Sequence, residues 1–345
     1  MKLIMAYTTI NKSTEHFNTV LYTGNATDNR TVTGVGFQPD FTWIKLRNSV
    51  SQHELFDVVR GVNKPISSNL DAVQSTETNR LKSFDSDGFT LGTGTAVNGS
   101  YTFASWNWKA GNSQGSSNTD GTINTTYTSV NTAAGISISQ YTGTGSNATV
   151  GHGLGVAPRM IMVKNLTNAN AWSVYHAGLG ATKYLALNES DAPGTASDRW
   201  QDTAPTSSVF SIGTNANQGG SYNYIAYCFA EKTGFSKFGS YTGNGNNDGS
   251  FIYLGFKPAF FLIKRTDTSE SWIMTDNKRG TNNDWNYVLA DSNAAEVDGD
   301  LPYEFLSNGV KMRGTTQNGS GNTFVYMAFA EAPLVGSNNV PCTAR

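Results

Sequence analysis

Three lysines occur where short apolar runs end, and they recur at regular spacing. Lys45 ends the run FTWIK, Lys164 ends MIMVK and Lys264 ends FFLIK. An ammonium group in this position must reach water or a partner, because an unpaired buried charge is costly. We expect these lysines to be structural elements of a repeat. A cationic ligand contact is the alternative, and a catalytic lysine is disfavoured because no partner constellation accompanies the three copies.

The stretch after each lysine suggests which groups are its partners. An acid and a base occur three residues apart in two of the copies, as Asp57 with Arg60 and as Asp276 with Arg279. We expect each aspartate to pair with the lysine of its own copy. In the middle copy His176 and Leu179 take these positions. There Lys164 is expected to reach solvent or backbone carbonyls.

Aromatic residues offer a second kind of chemistry. Trp106 and Trp108 are two residues apart, which places them on one face of a strand. Such a pair can form a platform for a sugar, but Phe229 and Phe329 replace Trp108 in the other copies, which favours a core position. The candidate ligand contacts from the sequence are Trp106, Trp108, Asp57, Arg60, Asp276 and Arg279.

Other reactive constellations find little support. None of the four histidines lies in a Gly-x-Ser-x-Gly or His-Glu-x-x-His motif, and His152 in GHGLG is interpreted as a loop residue. The paired acids, Asp85 with Asp87 and Asp298 with Asp300, occur in turn-like sequence. The oxygen-rich stretches DSDG and GNGNNDGS do not match the twelve-residue calcium loop. We therefore predict no catalytic residue, no metal site and no cofactor.

These residues recur because the chain contains three copies of one pattern. The motif Tyr-Thr-Gly begins at Tyr22, Tyr141 and Tyr241. The lysines keep the same separations, as do the prolines Pro39, Pro158 and Pro258. Each copy ends in an aromatic strand-like stretch, as in YTFASWNWKA, YNYIAYCFAE and NTFVYMAFAE. Register held over several anchors indicates internal repeats.

Short apolar runs bounded by Pro, Gly and Asn predict strands, and Asp-Gly and Asn-Gly pairs predict hairpins. We expect an all-β protein of three tandem, jelly-roll-like β-sandwich repeats of about 100 residues each. One pseudo-threefold assembly of three small sheets is the alternative to separate sandwiches. The predicted segments are an N-terminal segment 1–16, repeats 17–110, 135–234 and 235–333, a Gly/Ser/Thr/Asn linker 111–134 and a tail 334–345. An irregular extended excursion is the alternative to a linker for 111–134, and repeat one is then either free to move or staggered relative to the other two.

Composition excludes several classes of function. Net charge is −2 and no run of Lys or Arg occurs, which argues against nucleic-acid binding. No apolar stretch is long enough to cross a bilayer. The two cysteines exclude a disulfide framework, and Cys228 in YNYIAYCFA is expected to be a small buried side chain, whereas Cys342 lies in the tail.

The stretches GVGFQPDFTWIKLR, LFDVVRG, SDGFTLG, YTFASWNWKAG and FGSYTGNG together resemble a repeat family of marine bacteriophages. Members of that family are labelled tail-fibre or virion structural proteins, and the resemblance covers nearly the whole chain. It implies a component of an assembled particle that contacts other virion proteins. It carries no established site motif that could be transferred to this sequence.

The resemblance leads us to expect a non-enzymatic virion protein. A tail fibre, spike or receptor-binding component is the first choice, as a homo-oligomer, with a trimer favoured, that contacts host-surface glycans. A capsid decoration protein on the head surface is the first alternative, and a glycan-degrading tailspike enzyme is the second. Localisation on the virion, at the tail rather than the capsid surface, follows from the first choice.

Overall fold

The computed structural model describes residues 7–336, except 218, 220 and 281–284. Cys342 and most of the predicted tail lie outside the described residues. Cys228 is a buried free thiol, as predicted. Strands alternate with turns throughout and the described helices are single turns, so the all-β prediction is confirmed.

The elements fall into the three repeats. Repeat one follows a 3-10 turn (Ser13–Glu15) and contains β1 (Phe17–Thr23), β2 (Arg30–Thr33), β3 (Phe41–Leu46), β4 (Glu54–Asp57), β5 (Leu81–Asp85), β6 (Gly88–Leu91), α1 (Thr95–Asn98) and β7 (Thr102–Trp108). Before and within repeat two lie β8 (Tyr127–Asn131), β9 (Ile136–Thr142), β10 (Ala148–Gly151), β11 (Met160–Asn165), β12 (Ser173–His176), β13 (Lys183–Tyr184), β14 (Gly194–Thr195), α2 (Ser197–Trp200), β15 (Val209–Ile212) and β16 (Asn223–Phe229). Repeat three contains β17 (Ser236–Thr242), β18 (Phe251–Tyr253), β19 (Phe256–Arg265), β20 (Ile273–Asp276), β21 (Trp285–Leu289), β22 (Val297–Leu301), β23 (Tyr303–Leu306), β24 (Gly309–Met312) and β25 (Thr323–Pro333).

The same strand order occurs in each repeat. The large sheets contain the orders β1-β7-β3-β4, β9-β16-β11-β12 and β17-β25-β19-β20, in which the first strand of the repeat pairs with the last. The small sheets are β2-β6-β5, β10-β15 and β18-β24-β23. The ladders within these sheets are antiparallel. The structure therefore contains three copies of one topology.

Each large sheet is buried on both faces. Along β7, Phe103 packs toward the small sheet with Phe89 and Leu91, whereas Trp106 and Trp108 point the other way. Strand β3 is buried at every position. A run buried on both faces needs apolar residues without polar alternation, which explains the runs FTWIK, MIMVK and FFLIK.

The inner faces of the three large sheets share one core. Trp108, Phe229 and Phe329 occupy equivalent positions, and their rings contact each other in pairs. The centroid distances are 6.4 Å for Trp108–Phe229, 6.1 Å for Phe229–Phe329 and 5.8 Å for Trp108–Phe329. Three equivalent residues in mutual contact mark a pseudo-threefold axis. The sandwiches are thus parts of one pseudo-threefold assembly, in which each repeat keeps both a large and a small sheet.

The segment 111–134 is part of the fold. It contains β8, which pairs with β9 and extends the large sheet of repeat two. Ile123 forms a parallel bridge with Val150. It is buried in a second hydrophobic cluster of that repeat, which includes Val150 and Phe210 of the small sheet and is called the outer core below. Interpreting 111–134 as a linker is therefore wrong. Of the two alternatives for repeat one, free movement is wrong as well, because Phe17 and Trp108 lie in the shared core.

Candidate functional site: the contacts between repeats

The three lysine ammonium groups lie in the interior, where neighbouring repeats meet. Each donates to the carbonyl oxygen of the next residue and to a carbonyl oxygen of another repeat. The bonds are Lys45 Nζ to Leu46 (2.9 Å) and Asn293 (3.4 Å), Lys164 Nζ to Asn165 (3.0 Å), Asn170 (2.9 Å) and Asp71 (3.0 Å), and Lys264 Nζ to Arg265 (2.8 Å) and Ser190 (3.1 Å). Burial lowers the pKa of all three to about 8. At neutral pH the groups remain largely protonated and can donate.

These bonds run in one direction around the molecule. A loop of repeat one supplies Asp71 to the lysine of repeat two, and a loop of repeat two supplies Ser190 to the lysine of repeat three. A loop of repeat three supplies Asn293 to the lysine of repeat one and so closes the circle. Backbone bonds follow the same path, from Ser51, Asn170 and Glu270 to the carbonyls of Asn293, Asp71 and Ser190.

A second set of equivalent side chains follows the same circle. Trp172 Nε1 donates to the carbonyl of Ser67 (3.0 Å), and Trp272 Nε1 donates to that of Ala186 (2.9 Å). In repeat one His53 takes this position. Its Nδ1 accepts from Trp43 Nε1 (2.8 Å), which leaves the proton on Nε2 to bond the Leu289 carbonyl (3.0 Å). Burial lowers the pKa of His53 to about 3, so the ring is neutral.

The aspartates pair with arginines and not with lysines. Arg60 Nε lies 2.6 Å from Asp57 Oδ2, and Arg279 Nε lies 2.6 Å from Asp276 Oδ2. The predicted Asp57–Lys45 and Asp276–Lys264 pairs are therefore wrong. Each guanidinium also donates to a nearby carbonyl, Arg60 Nη2 to that of Leu55 (3.1 Å) and Arg279 Nη2 to that of Met274 (3.1 Å), and its rigid planar fork suits acceptors held at fixed positions.

Each acid also bonds a side chain of another repeat. Tyr227 Oη donates to Asp57 (2.6 Å), and Trp106 Nε1 donates to Asp276 (2.9 Å). Tyr227 and Trp106 are equivalent positions in repeats two and one. In repeat two His176 replaces the acid, and its Nε2 donates to the Tyr326 carbonyl of repeat three (3.0 Å). The position thus makes an inter-repeat hydrogen bond in all three copies.

Glu296 adds a charged bridge where repeat three meets repeat one. It accepts from Arg47 Nη2 (2.7 Å) and from Arg279 Nη1 (2.9 Å). Burial acts to raise the pKa of this carboxyl, but the hydrogen bond from Arg47 and the charge of Arg279 outweigh it and lower the pKa to about 2. Glu296 is therefore ionised throughout the physiological range.

The six candidate ligand contacts lie in this interior. Trp106, Trp108, Asp57 and Asp276 are fully buried, and the guanidinium-bearing side chains of Arg60 and Arg279 are at most 1% exposed. The core position favoured for Trp106 and Trp108 is therefore confirmed, and burial leaves none of the six candidates, Trp106, Trp108, Asp57, Arg60, Asp276 and Arg279, on the surface to meet a ligand. They were singled out for their chemistry, but repetition of a residue type at a fixed place in each copy signals packing as readily as binding.

One set of polar residues escaped the sequence analysis. Asn98, Asn217 and Asn318 are fully buried at equivalent positions, and each holds the loop that follows Tyr-Thr-Gly. Asn98, for example, accepts from the Asn25 amide (3.1 Å) and donates to the carbonyls of Thr27 and Gly92 (2.8 Å each). The signal in the sequence is the repetition of VNG, ANQ and QNG, although two of these contain Asn-Gly and also match a hairpin turn.

The other candidates make local contacts, to backbone amides or to neighbouring hydroxyl groups. His152 Nδ1 accepts from the Leu154 amide (3.1 Å), consistent with a loop residue. Asp87 accepts from the amides of Gly34 (3.1 Å) and Gly36 (2.6 Å), and Asp85 accepts from Ser83 and Thr90. The side chain of Asp300 lies outside the described residues. Within the described part of the chain, no group of three or more His, Cys, Asp or Glu residues is placed to hold a metal ion.

The fold and these contacts define a closed ring of three β-sandwich repeats. A family model described as a domain of unknown function (DUF7483) matches residues 12–333, so the chain belongs to that family. No curated protein matches the chain. No solved structure matches it either. Over the residues that the structure describes, no helix has the length and apolarity needed to cross a bilayer.

Proposed function

We propose that this protein is a non-enzymatic structural component of a bacteriophage particle. The resemblance of its repeat motifs to phage virion proteins supports the class. The use of its recurring charged groups supports an architectural role, because Lys164 and its equivalents bond carbonyls of neighbouring repeats and Asp57 is held by Arg60. Side chains committed to such contacts stabilise the ring and are not free for chemistry.

The observation that carries the proposal is the pseudo-threefold axis through Trp108, Phe229 and Phe329. One chain with three similar outer faces can present a similar contact three times. Phage appendages and capsids contain threefold-symmetric positions, and a symmetric partner favours a matching surface. A ring with pseudo-threefold symmetry is suited to bind at a threefold-symmetric position of the particle.

Within the virion, the tail is our first assignment, as a fibre, spike or receptor-binding component. We propose that a homotrimer of rings would multiply weak contacts to host-surface glycans into useful avidity. Since Trp106 and Trp108 are buried, such contacts would use exposed side chains of the outer loops. Decoration of the head surface is the second candidate, and the pseudo-threefold axis is the observation that favours it.

Immunogold labelling of intact virions with antibodies against this chain tests both assignments. Gold at the tail or its fibres would support the first assignment, and a glycan array would follow. Gold distributed evenly over the head would support decoration and exclude the receptor role. Absence of gold from intact and from disrupted particles would contradict a virion role and reopen the glycan-degrading alternative.

A further inference from the structure

The small sheet of repeat three has an exposed aromatic edge. Strand β18 is its outer strand and pairs on one side with β24. Ile252 points into the core, whereas Phe251 and Tyr253 are 45% and 49% exposed. An apolar edge strand left open in this way is a template for pairing with another chain, and proteins normally protect such edges.

The other repeats show what the equivalent edge looks like. Val32, Val150 and Ile252 are the buried central residues of β2, β10 and β18, and they pair with Phe89, Phe210 and Val310. In repeat one the flanking residues are Thr31 and Thr33, which suit contact with water. Repeat three places Phe251 and Tyr253 at the matching positions.

In repeat two the equivalent edge is covered by the chain itself. Ile123 forms a parallel bridge with Val150, and its amide donates to the Thr149 carbonyl (3.0 Å). Thr122 and Thr149 hydrogen-bond each other through side chain and backbone (2.8 and 2.9 Å). A short extended segment thus completes this sheet by strand addition.

Strand β18 presents backbone groups at its outer edge, as β10 does in repeat two. The Ser250 carbonyl and the Leu254 amide bond β24 and its turn (3.0 and 2.9 Å), so the backbone of the intervening odd positions faces outward. The Tyr253 carbonyl accepts from Lys237 Nζ (3.0 Å). No residue in the described part of the chain bonds the Phe251 carbonyl, which is the equivalent of the Thr149 acceptor.

In repeat three the equivalent connection is too short to supply a segment like the one around Ile123. The chain between β7 and β8 is long enough to fold back over β10, whereas β16 ends at Phe229 and β17 begins at Ser236. We propose that β18 is a strand-addition site, and that its occupant is a short extended segment of a different protein. The segment would run parallel to β18, as residues 121–123 run along β10.

The edge also specifies the chemistry of that segment. Main-chain hydrogen bonds to Phe251 would supply affinity, and side-chain neighbours would supply selectivity. Threonine in the added strand matches Thr149 in repeat two, but Phe251 and Tyr253 favour aliphatic or aromatic cross-strand neighbours. We therefore expect a segment with at least three consecutive apolar residues. This inference does not depend on the proposed virion role.

The test uses the full chain and a fluorescein-labelled peptide. The peptide copies residues 118–125 with Thr122→Val and Asn124→Val, which gives three consecutive apolar residues around Ile123. Fluorescence anisotropy should show binding to the unaltered chain. The variant Phe251→Thr/Tyr253→Thr, which copies repeat one, should bind about tenfold more weakly or worse. Val156→Thr is the matched control, because Val156 is also exposed but belongs to repeat two.

A reciprocal graft guards against loss by misfolding. Thr31→Phe/Thr33→Tyr in repeat one should create a second binding site and raise the stoichiometry. Absence of binding to the unaltered chain, or equal binding to the double-threonine variant, would overturn the proposal. An unchanged stoichiometry of the grafted variant would also count against the proposal.

Three further outcomes would identify a different molecule as the binding partner of β18. The Tyr7 hydroxyl donates to the Gly255 carbonyl (3.0 Å), so the chain before Tyr7 starts close to β18. If deletion of residues 1–6 raises peptide affinity tenfold, that segment is the occupant. If light scattering shows dimers that the double-threonine variant lacks, a second copy is the occupant. If glycan binding, and not peptide binding, depends on Phe251 and Tyr253, the edge is a sugar platform. Each of these results overturns the proposal.

Discussion

A buried lysine is stable only if its ammonium group keeps acceptors that replace water. In this protein the acceptors are carbonyl oxygens, and at least one of them comes from a neighbouring repeat, as Asp71 does for Lys164. The sequence predicted solvent or backbone carbonyls for Lys164, and carbonyls are what its ammonium group bonds. For Lys45 and Lys264 it predicted carboxylates, which is wrong. Residues 71 and 164 are far apart in the chain. Because every residue has a backbone carbonyl, the residue type does not show which one accepts a hydrogen bond. For Lys45 the carboxylate of Asp57 was the predicted partner, but Asp57 forms its ion pair with Arg60.

Replacing Lys164 tests this role at the residue level. Lys164→Met keeps most of the apolar stem but leaves the carbonyls of Asp71, Asn165 and Asn170 without their shared donor. We expect the free energy of unfolding, measured in urea, to fall by about 2–3 kcal/mol. Lys12→Met is the control, because Lys12 is exposed and bonds only Glu15; its effect should stay within about 0.5 kcal/mol. Equal stability of the two variants would contradict the assignment.

His176 makes the stability of the ring depend on pH. Burial lowers its pKa to about 4, and Nδ1 accepts from the Gly178 amide (3.0 Å) while Nε2 donates to Tyr326. The folded pKa lies below the unfolded value of about 6.5. The stabilising contribution of the neutral ring is therefore complete above about pH 6.5 and is lost as pH falls toward 4.

The measurement compares the unaltered chain with His176→Gln at pH 7 and pH 4. At pH 7 the variant should be less stable, and at pH 4 the difference should shrink by about 3 kcal/mol. Comparing two proteins is necessary because burial also raises the pKa of Asp40 to about 6 and of Glu54 to about 7, which act in the opposite direction. Those contributions cancel in the difference. A difference that stays constant with pH would mean that His176 does not titrate in this way.

At the scale of elements, the strands were predictable and one connection was not. The aromatic and aliphatic runs FTWIK, MIMVK and FFLIK lie in β3, β11 and β19, as their composition predicts. The segment 111–134 has the composition of a linker, yet Thr128 and Ser139 bond each other inside the sheet (3.1 Å) and Ile123 fills the outer core. Hydroxyl side chains pair across strands as well as they contact water, so composition alone did not separate the two cases.

Limited proteolysis distinguishes a linker from a folded element. A broad-specificity protease such as thermolysin should leave residues 111–134 intact under conditions that cut exposed termini. Ile123→Asp places a charge in the outer core of repeat two and should release the segment, with new cuts between 111 and 126. Asp120→Ala, an exposed change on the same segment, is the control and should remain resistant. Rapid cleavage of the unaltered chain in this region would contradict the described pairing of β8 with β9.

At the scale of the whole molecule, the repeats specify their own association. Local patterns gave the three sandwiches but did not decide whether they touch, because the same strands form in either case. The deciding signal was the absence of polar alternation in β3 and β11, which are buried at every position. A sandwich standing alone would keep one polar face on each sheet. Because they lack polar alternation, the apolar runs predict a second buried face on each sheet and hence the shared core.

The shared core predicts that the three repeats lose stability together. Trp108→Ala removes a ring at the pseudo-threefold axis that contacts both Phe229 and Phe329, and should cost about 3–5 kcal/mol. Hydrogen exchange followed by mass spectrometry reports each repeat separately. The slowest amides of β7, β16 and β25 should lose protection by similar factors, although the substitution lies in repeat one. Tyr101→Ala, on an exposed ring before β7, should leave all three unchanged. Loss confined to β7 and its neighbours would show that repeat one unfolds alone, and that the contacts around the ring do not couple the repeats.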